Sequence, residues 1–128
     1  MKILIIEDEP KTGDYLKQGL TESGFVTELA VNGVDGLHLA LTGDFDLLVL
    51  DVMLPDMNGY AVCKSLKNHE ETHNIPVIFI TVRNNYEEEA FGLDLGAVDF
   101  ISKPFHNAVV KARVRTHIHL YRSTQQLA

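Results

Sequence analysis

The sequence predicts an α/β fold, a parallel sheet covered by helices on both faces. Three observations point there. Short apolar runs alternate with stretches of helical spacing, five times over. Two of those runs, Leu47–Leu50 and Val77–Ile80, are apolar at every position, the pattern of strands buried on both faces. A repeated strand–helix order also implies parallel strands joined by right-handed crossovers.

The first run, Ile3–Ile6, stops at Glu7-Asp8-Glu9. The first helix follows Pro10, a favoured first-turn residue, carries Leu16 and Leu20 one turn apart, and ends by Gly24. The second run, Phe25–Ala30, alternates more and reads as a strand nearer the sheet edge. The second helix starts after Asn32-Gly33, ends at Gly43, and offers Val34, Leu37 and Ala40 or Leu41 as its apolar face. Leu47–Leu50 leads into Asp51, and a third helix spans Tyr60–Lys67 behind Asn58, a good N-cap. Pro76–Ile80 leads into Thr81, and a fourth helix runs from about Tyr86 to Leu95 and stops at Gly96. Val98–Ile101 leads into Ser102-Lys103-Pro104, and a fifth helix begins near Asn107. On it Val110, Val114, His117 or Ile118, Tyr121, Thr124 and Gln125 or Ala128 roughly follow heptad spacing. A docked helix with a frayed tail and a signalling helix leading to an output domain or a dimer partner both fit that spacing.

Composition narrows the class. The 128 residues suit one domain with a core of its own, here expected over residues 1–120, with 121–128 extending the last helix or opening a linker. A formal charge of -7 repels phosphate backbones, so direct binding to nucleic acid is not expected. The lone cysteine, Cys63, forms no internal disulfide and reads as a small apolar filler. No apolar run approaches the ~20 residues that span a bilayer, and the run at the start is too short for a secretory signal. A cytoplasmic location is expected, with no membrane contact.

In open α/β sheets, ligands bind beyond the carboxyl ends of the strands. There the sequence places Glu7 and Asp8, Asp51, Thr81 and Lys103. Three carboxylates at close quarters repel, so the site needs a cation or raised pKa values. Oxygen-only donors favour a hard ion, and Mg²⁺ is the one expected. Such a site accepts a phosphoryl group, with Lys103 and Thr81 on its oxygens and one of the carboxylates as nucleophile.

This constellation resembles the receiver domain of bacterial two-component response regulators. The motifs are Ile5-Ile6-Glu7-Asp8-Glu9, the segment Leu50–Gly59, Ile80-Thr81, Gly92–Ala97 and Lys103-Pro104-Phe105. The resemblance implies a flavodoxin-like (βα)5 fold with strand order 2-1-3-4-5. It implies that Asp51 takes a phosphoryl group from a histidine kinase. Glu7, Asp8, Asp51 and the Met53 carbonyl would hold Mg²⁺. Thr81 and Phe100 would form the switch pair. Lys103 would contact the phosphoryl group, the Lys103-Pro104 peptide being cis. The partner implied is a sensor histidine kinase or phosphotransfer protein, meeting Thr12, Tyr15 and the loop at Pro104-Phe105. A second copy of the chain is a further candidate, across the fourth helix, fifth strand and fifth helix.

The sequence also departs from that family. Val82 stands where the residue after the threonine is usually small, and Arg83 and Met53 flank the expected path of attacking water. The first half, to about Gly59, looks like heavy-metal-responsive winged-helix regulators, and the part from about Pro76 looks like receivers joined to cyclic-dinucleotide enzymes. Phe91 and Val98 replace the Lys and Asp of the winged-helix class's pairing network, and Glu87-Glu88-Glu89 makes the fourth helix acidic. The chain ends at Ala128, before a second globular unit, which fits a stand-alone receiver or a piece of a longer regulator.

Two motifs mislead. His69-Glu70-Glu71-Thr72-His73 matches the zinc-protease pattern but falls at the polar end of the third helix, just before Pro76. His117 and His119 are two residues apart on a helix and diverge, so they are no metal pair. The function expected is a phosphoacceptor signalling switch rather than a turnover enzyme. The competing class is a Mg²⁺-dependent phosphatase using an aspartyl-phosphate. Such enzymes carry a second aspartate two residues after the nucleophile, where this chain has Met53.

Overall fold

The computed structural model describes residues 1–82 and 86–127. Five strands alternate with five helices: β1 (Lys2–Ile6), α1 (Pro10–Glu22), β2 (Val26–Ala30), α2 (Gly33–Thr42), β3 (Leu47–Asp51), α3 (Gly59–Lys67), β4 (Val77–Thr81), α4 (Tyr86–Asp94), β5 (Asp99–Ser102) and α5 (Asn107–Leu127). The strands form one parallel sheet in the order β2-β1-β3-β4-β5. This is the flavodoxin-like arrangement implied by the resemblance. Arg83 and Ala128, and the side chains of Thr124 and Gln125, lie outside the described residues.

The two-residue period of a strand divides the apolar runs between two cores. Leu4, Ile6, Leu48, Leu50, Val77, Phe79 and Phe100 face one way, against Ala40 of α2 and Val62, Cys63 and Leu66 of α3. Ile3, Ile5, Leu47, Val49, Ile78, Ile80 and Ile101 face the other, against Leu16 and Leu20 of α1 and Val110, Val114 and Ile118 of α5. Strands β3 and β4 are buried throughout, whereas β2, at one edge, is fully buried only at Ala30. Truncating any of these buried Leu or Ile side chains to Ala costs about 2–5 kcal/mol.

The helix ends follow local chemistry. Asn32 and Asn58 accept the amides of Asp35 and Ala61 and so cap α2 and α3, while Glu9 caps α1 through the Thr12 amide with Pro10 in the first turn. Gly24 and Gly96, after α1 and α4, have φ of 96° and 110°, a region costly for other residues. No helix among the described residues is long and apolar enough to cross a membrane.

Three details differ from the sequence reading. The inner face of α2 is Gly33, Gly36 and Ala40, while Val34 is 58% exposed. A Cβ on Gly36 would lie 2.5 Å from the Ile6 side chain, so the helix backbone itself packs on the sheet and no larger residue fits beneath it. The zinc-protease pattern lies wholly in the turn after Lys67, where His69 Nδ1 sits 2.7 Å from the Ser65 carbonyl. The heptad row on α5 resolves into a docked half, Val110, Val114 and Ile118, all buried against the sheet.

Candidate functional site

Parallel pairing puts every strand's carboxyl end on one edge. The register sets Ile6 beside Leu50, Asp51 beside Ile80, and Thr81 beside Ser102. The residues at or just past those positions are Glu7, Asp8, Asp51, Thr81 and Lys103. Backbone bonds carry the alignment past the strands, from the Val52 amide to the Ile80 carbonyl and from the Lys103 amide to the Thr81 carbonyl, at 3.0 and 2.7 Å. The Lys103-Pro104 peptide is cis.

Glu7, Asp8 and Asp51 each place a carboxylate oxygen within 4.8 Å of the others. Glu7 and Asp51 are buried, and Asp8 is exposed. The Lys103 ammonium donates to Glu7 Oε1 at 2.8 Å and to Asp51 Oδ2 at 3.4 Å. The amide of Met53 donates to Asp51 Oδ1 at 3.1 Å. Glu7 Oε2 is buried and, among the described residues, has no hydrogen-bond partner.

Electrostatics follow from that crowding. Burial, and then a hydrogen bond to Asp51, push the Glu7 carboxyl up to about 8, against the pull of Lys103. Burial alone would depress the Lys103 ammonium, but its hydrogen bond to Glu7 and the charges of Asp51 and Glu7 hold it above its ordinary value. One lysine therefore faces three carboxylates, and burial with a carboxylate neighbour favours the protonated form of Glu7. The donor set is all oxygen, it is crowded, and it includes an orphaned buried oxygen, so it suits a small hard cation.

Thr81 is 4% exposed and Phe100 8%. Phe100 ends a row of rings: its centroid is 5.3 Å from Phe79, Phe79 is 5.1 Å from Tyr60, and Tyr60 is 5.1 Å from Phe91. The row links β5, β4, α3 and α4, and the Tyr60 hydroxyl also donates to the Glu88 carbonyl at 3.4 Å. Sequence reasoning marked Phe100 and Phe91 separately and missed the row, because its members come from four elements.

Asp56 was missed as well. Its Oδ1 accepts the Gly33 amide at 2.8 Å and its Oδ2 the Val34 amide at 3.0 Å. These bonds, the Val34 one foremost, hold its carboxyl below the ordinary value. The helix N-terminus of α2 is thereby tied to the loop after β3 that bears Met53. At the loop's other end, a Cβ on Gly59 would lie 2.4 Å from the Asp51 carbonyl, so only glycine lets α3 start that close to the site.

Two clefts open beside the carboxylates. One, of about 480 Å³, is bordered by Asp8, Met53, Asn58 and Thr81. The other, of about 460 Å³, is bordered by Lys11, Thr12, Tyr15, Lys103, Pro104 and Phe105. Val82 borders both and is 61% exposed, at the ridge between them.

A family model described as the response regulator receiver domain matches residues 3–115. The chain is 51% identical over 116 residues to the transcriptional regulatory protein CusR of Escherichia coli (strain K12), an alignment covering 91% of this chain and 50% of that protein. It is 38% identical over 121 residues to a probable cyclic di-GMP phosphodiesterase of Vibrio cholerae, covering 94% of this chain and 27% of that one. Its relatives thus include a transcriptional regulatory protein and a probable cyclic di-GMP phosphodiesterase. Among solved structures, the signal receiver domain of a signal transduction histidine kinase from Syntrophus aciditrophicus is similar with a TM-score of 0.84 and 36% identity, covering 92% of this chain and 89% of that one. The chain spans about half the length of the curated regulator CusR that it matches.

Proposed function

The chain belongs to the response regulator receiver domains, and from that premise we propose that Asp51 is its phosphoacceptor. A carboxylate oxygen of Asp51 attacks phosphorus, the nitrogen–phosphorus bond of a kinase phosphohistidine breaks, and the histidine leaves with the bond's electron pair. The product is an aspartyl-phosphate, a mixed anhydride. The observation that carries this reading is the position of Asp51, 3% exposed at the end of a central strand, with the Lys103 ammonium 3.4 Å away. Glu7, Asp8, Asp51 and the Met53 carbonyl would hold Mg²⁺, which supplies positive charge against the phosphoryl oxygens when bound. Lys103 adds a second positive charge, the Thr81 hydroxyl offers a hydrogen bond, and the buried floor limits water.

The receiver unit is residues 1–120, with 121–128 continuing the last helix. The kinase or phosphotransfer partner docks over the cleft bordered by Thr12, Tyr15, Pro104 and Phe105. The message leaves through Thr81 and Phe100 to the face of α4, β5 and α5. On that face Asp99 is held within the chain by Arg113 at 2.7 Å and His117 at 3.0 Å. A second copy would therefore meet exposed Phe91, Leu93 and Val98 rather than a free aspartate. The phosphatase alternative is not favoured, because Met53 offers no acid or base where that chemistry needs one.

The test is labelling. Wild type with Mg²⁺ and acetyl phosphate gains one phosphoryl group by intact mass, and Asp51→Asn gains none. Stoichiometric modification that persists in the mutant moves the nucleophile elsewhere. Steady turnover of a simple phosphomonoester would favour the hydrolase.

A further inference from the structure

The amino end of α5 is capped from an unexpected place. A helix leaves its first amides unsatisfied, and a side chain just before it usually accepts one of them. Here the Asn107 amide donates to the Tyr15 hydroxyl at 3.1 Å, across 92 residues of sequence. The bond is answered by another, from Asn107 Nδ2 to the Tyr15 carbonyl, also at 3.1 Å. The Asn107 side chain lies against α1 at Gly19, where a Cβ would come within 2.4 Å of it. The Tyr15 ring meets Phe105 at 6.0 Å between centroids. One tyrosine therefore grips both Phe105 and Asn107, the residues just past Lys103 and Pro104. The other end of that segment is tied to β4 by the Lys103 amide on the Thr81 carbonyl, at 2.7 Å.

Between those two anchors the Lys103 ammonium has to reach Glu7 and Asp51. It has a long flexible stem, so its aim depends on where its backbone is held. We propose that Tyr15 is a positioning residue for phosphoryl transfer, its hydroxyl on Asn107 and its ring on Phe105 fixing the segment that aims Lys103 at Asp51. This rests on the reading of Asp51 as phosphoacceptor and Lys103 as its cationic partner. Tyr15 touches none of the reacting atoms. It acts through the lysine, and the dependence is open to measurement.

The experiment is a double-mutant cycle on the full chain, reading the rate constant of labelling by acetyl phosphate at saturating Mg²⁺. Tyr15→Phe keeps the ring against Phe105 and removes only the hydroxyl, so folding is retained. Tyr15→Phe is expected to slow labelling by about 3- to 10-fold, and to change it by less than about 1.5-fold in a Lys103→Ala background. Half-saturating Mg²⁺, read by calorimetry, should not move, because Tyr15 holds no metal ligand. Wild-type labelling by Tyr15→Phe overturns the proposal. So does an equal loss in the Lys103→Ala background, because the hydroxyl would then act on the fold at large. Wild-type labelling by Lys103→Ala alone overturns it too, since there would be no lysine to aim. Labelling that survives Asp51→Asn is a different failure, that of the phosphoacceptor reading itself.

Discussion

The two edges of the sheet treat their polar groups in opposite ways. At the amino edge Lys67, Thr72 and Asp46 each have a partner. The Lys67 ammonium donates to the His73 and Ile75 carbonyls at 3.0 and 2.8 Å. The buried Thr72 hydroxyl donates to the Leu66 carbonyl at 2.7 Å, and Asp46 accepts the Lys2 amide at 2.7 Å. At the carboxyl edge three carboxylates crowd one ammonium, and Glu7 Oε2 is buried without a partner among the described residues. A satisfied polar cluster holds a loop in place. An unsatisfied one stores a demand that a cation, a proton or a phosphoryl group can meet.

The largest break of this contrast comes at the carboxyl edge. Glu7→Ala with Asp8→Ala removes two anionic ligands and should weaken Mg²⁺ binding by at least about 100-fold in a calorimetric titration. Unchanged affinity would dismantle the acid pocket. The amino edge should give the reverse signature. Thr72→Val removes the hydroxyl's bond to the Leu66 carbonyl, which keeps the His69 amide at 3.3 Å, and should cost about 0.5–1.5 kcal/mol in urea unfolding. Labelling by acetyl phosphate should meanwhile stay within about twofold of wild type. A large loss of labelling there would erase the distinction between the edges.

The pH response sharpens it. Between the ordinary carboxyl pKa of 4.5 and the folded value of about 8, the folded chain holds a proton on Glu7 that the unfolded chain does not. The unfolded state then binds fewer protons, so stability falls as pH rises through that window. In metal-free buffer the urea midpoint should be lower at pH 8 than at pH 6, by at most about 1.4 kcal/mol per pH unit in free energy. Glu7→Gln should flatten the slope. A slope unchanged in that mutant would assign the effect to other groups. The smallest effect is expected at Val82, which is 61% exposed and borders both clefts. Val82→Ala should quicken both labelling and loss of label by about threefold, equal to about 0.65 kcal/mol of barrier. Paired rate constants at fixed Mg²⁺ measure it, and two unchanged rates would mean that its methyl groups leave the phosphoryl path clear.

Much of this was legible because interior parallel strands are written in unbroken apolar runs. Leu47–Leu50 and Val77–Ile80 could be little else, and the next residue after each run lands on the functional edge. What stayed hidden was contact between distant segments. Nothing in the spacing says that Asp56 caps a helix more than 20 residues upstream, or that Tyr15 caps one 92 residues downstream. On α2, Ala40 and Leu37 pack on the core as expected, but Val34 was misjudged for a physical reason. Helical spacing finds large residues, and that helix lies so close to Ile6 that its inner face is built of glycine and alanine.

The row of rings from Phe100 to Phe91 has an optical consequence. The chain has no tryptophan and only four tyrosines, so its near-ultraviolet signal comes from very few chromophores. Tyr60 stands in the middle of the row, in edge contact with Phe79 on one side and Phe91 on the other. Such a fixed, asymmetric surrounding gives a phenol strong circular dichroism, and a loosened one loses it. The protein thus carries an intrinsic chromophore between the sheet and α4, one that reports their mutual rigidity in near-ultraviolet circular dichroism, without a label.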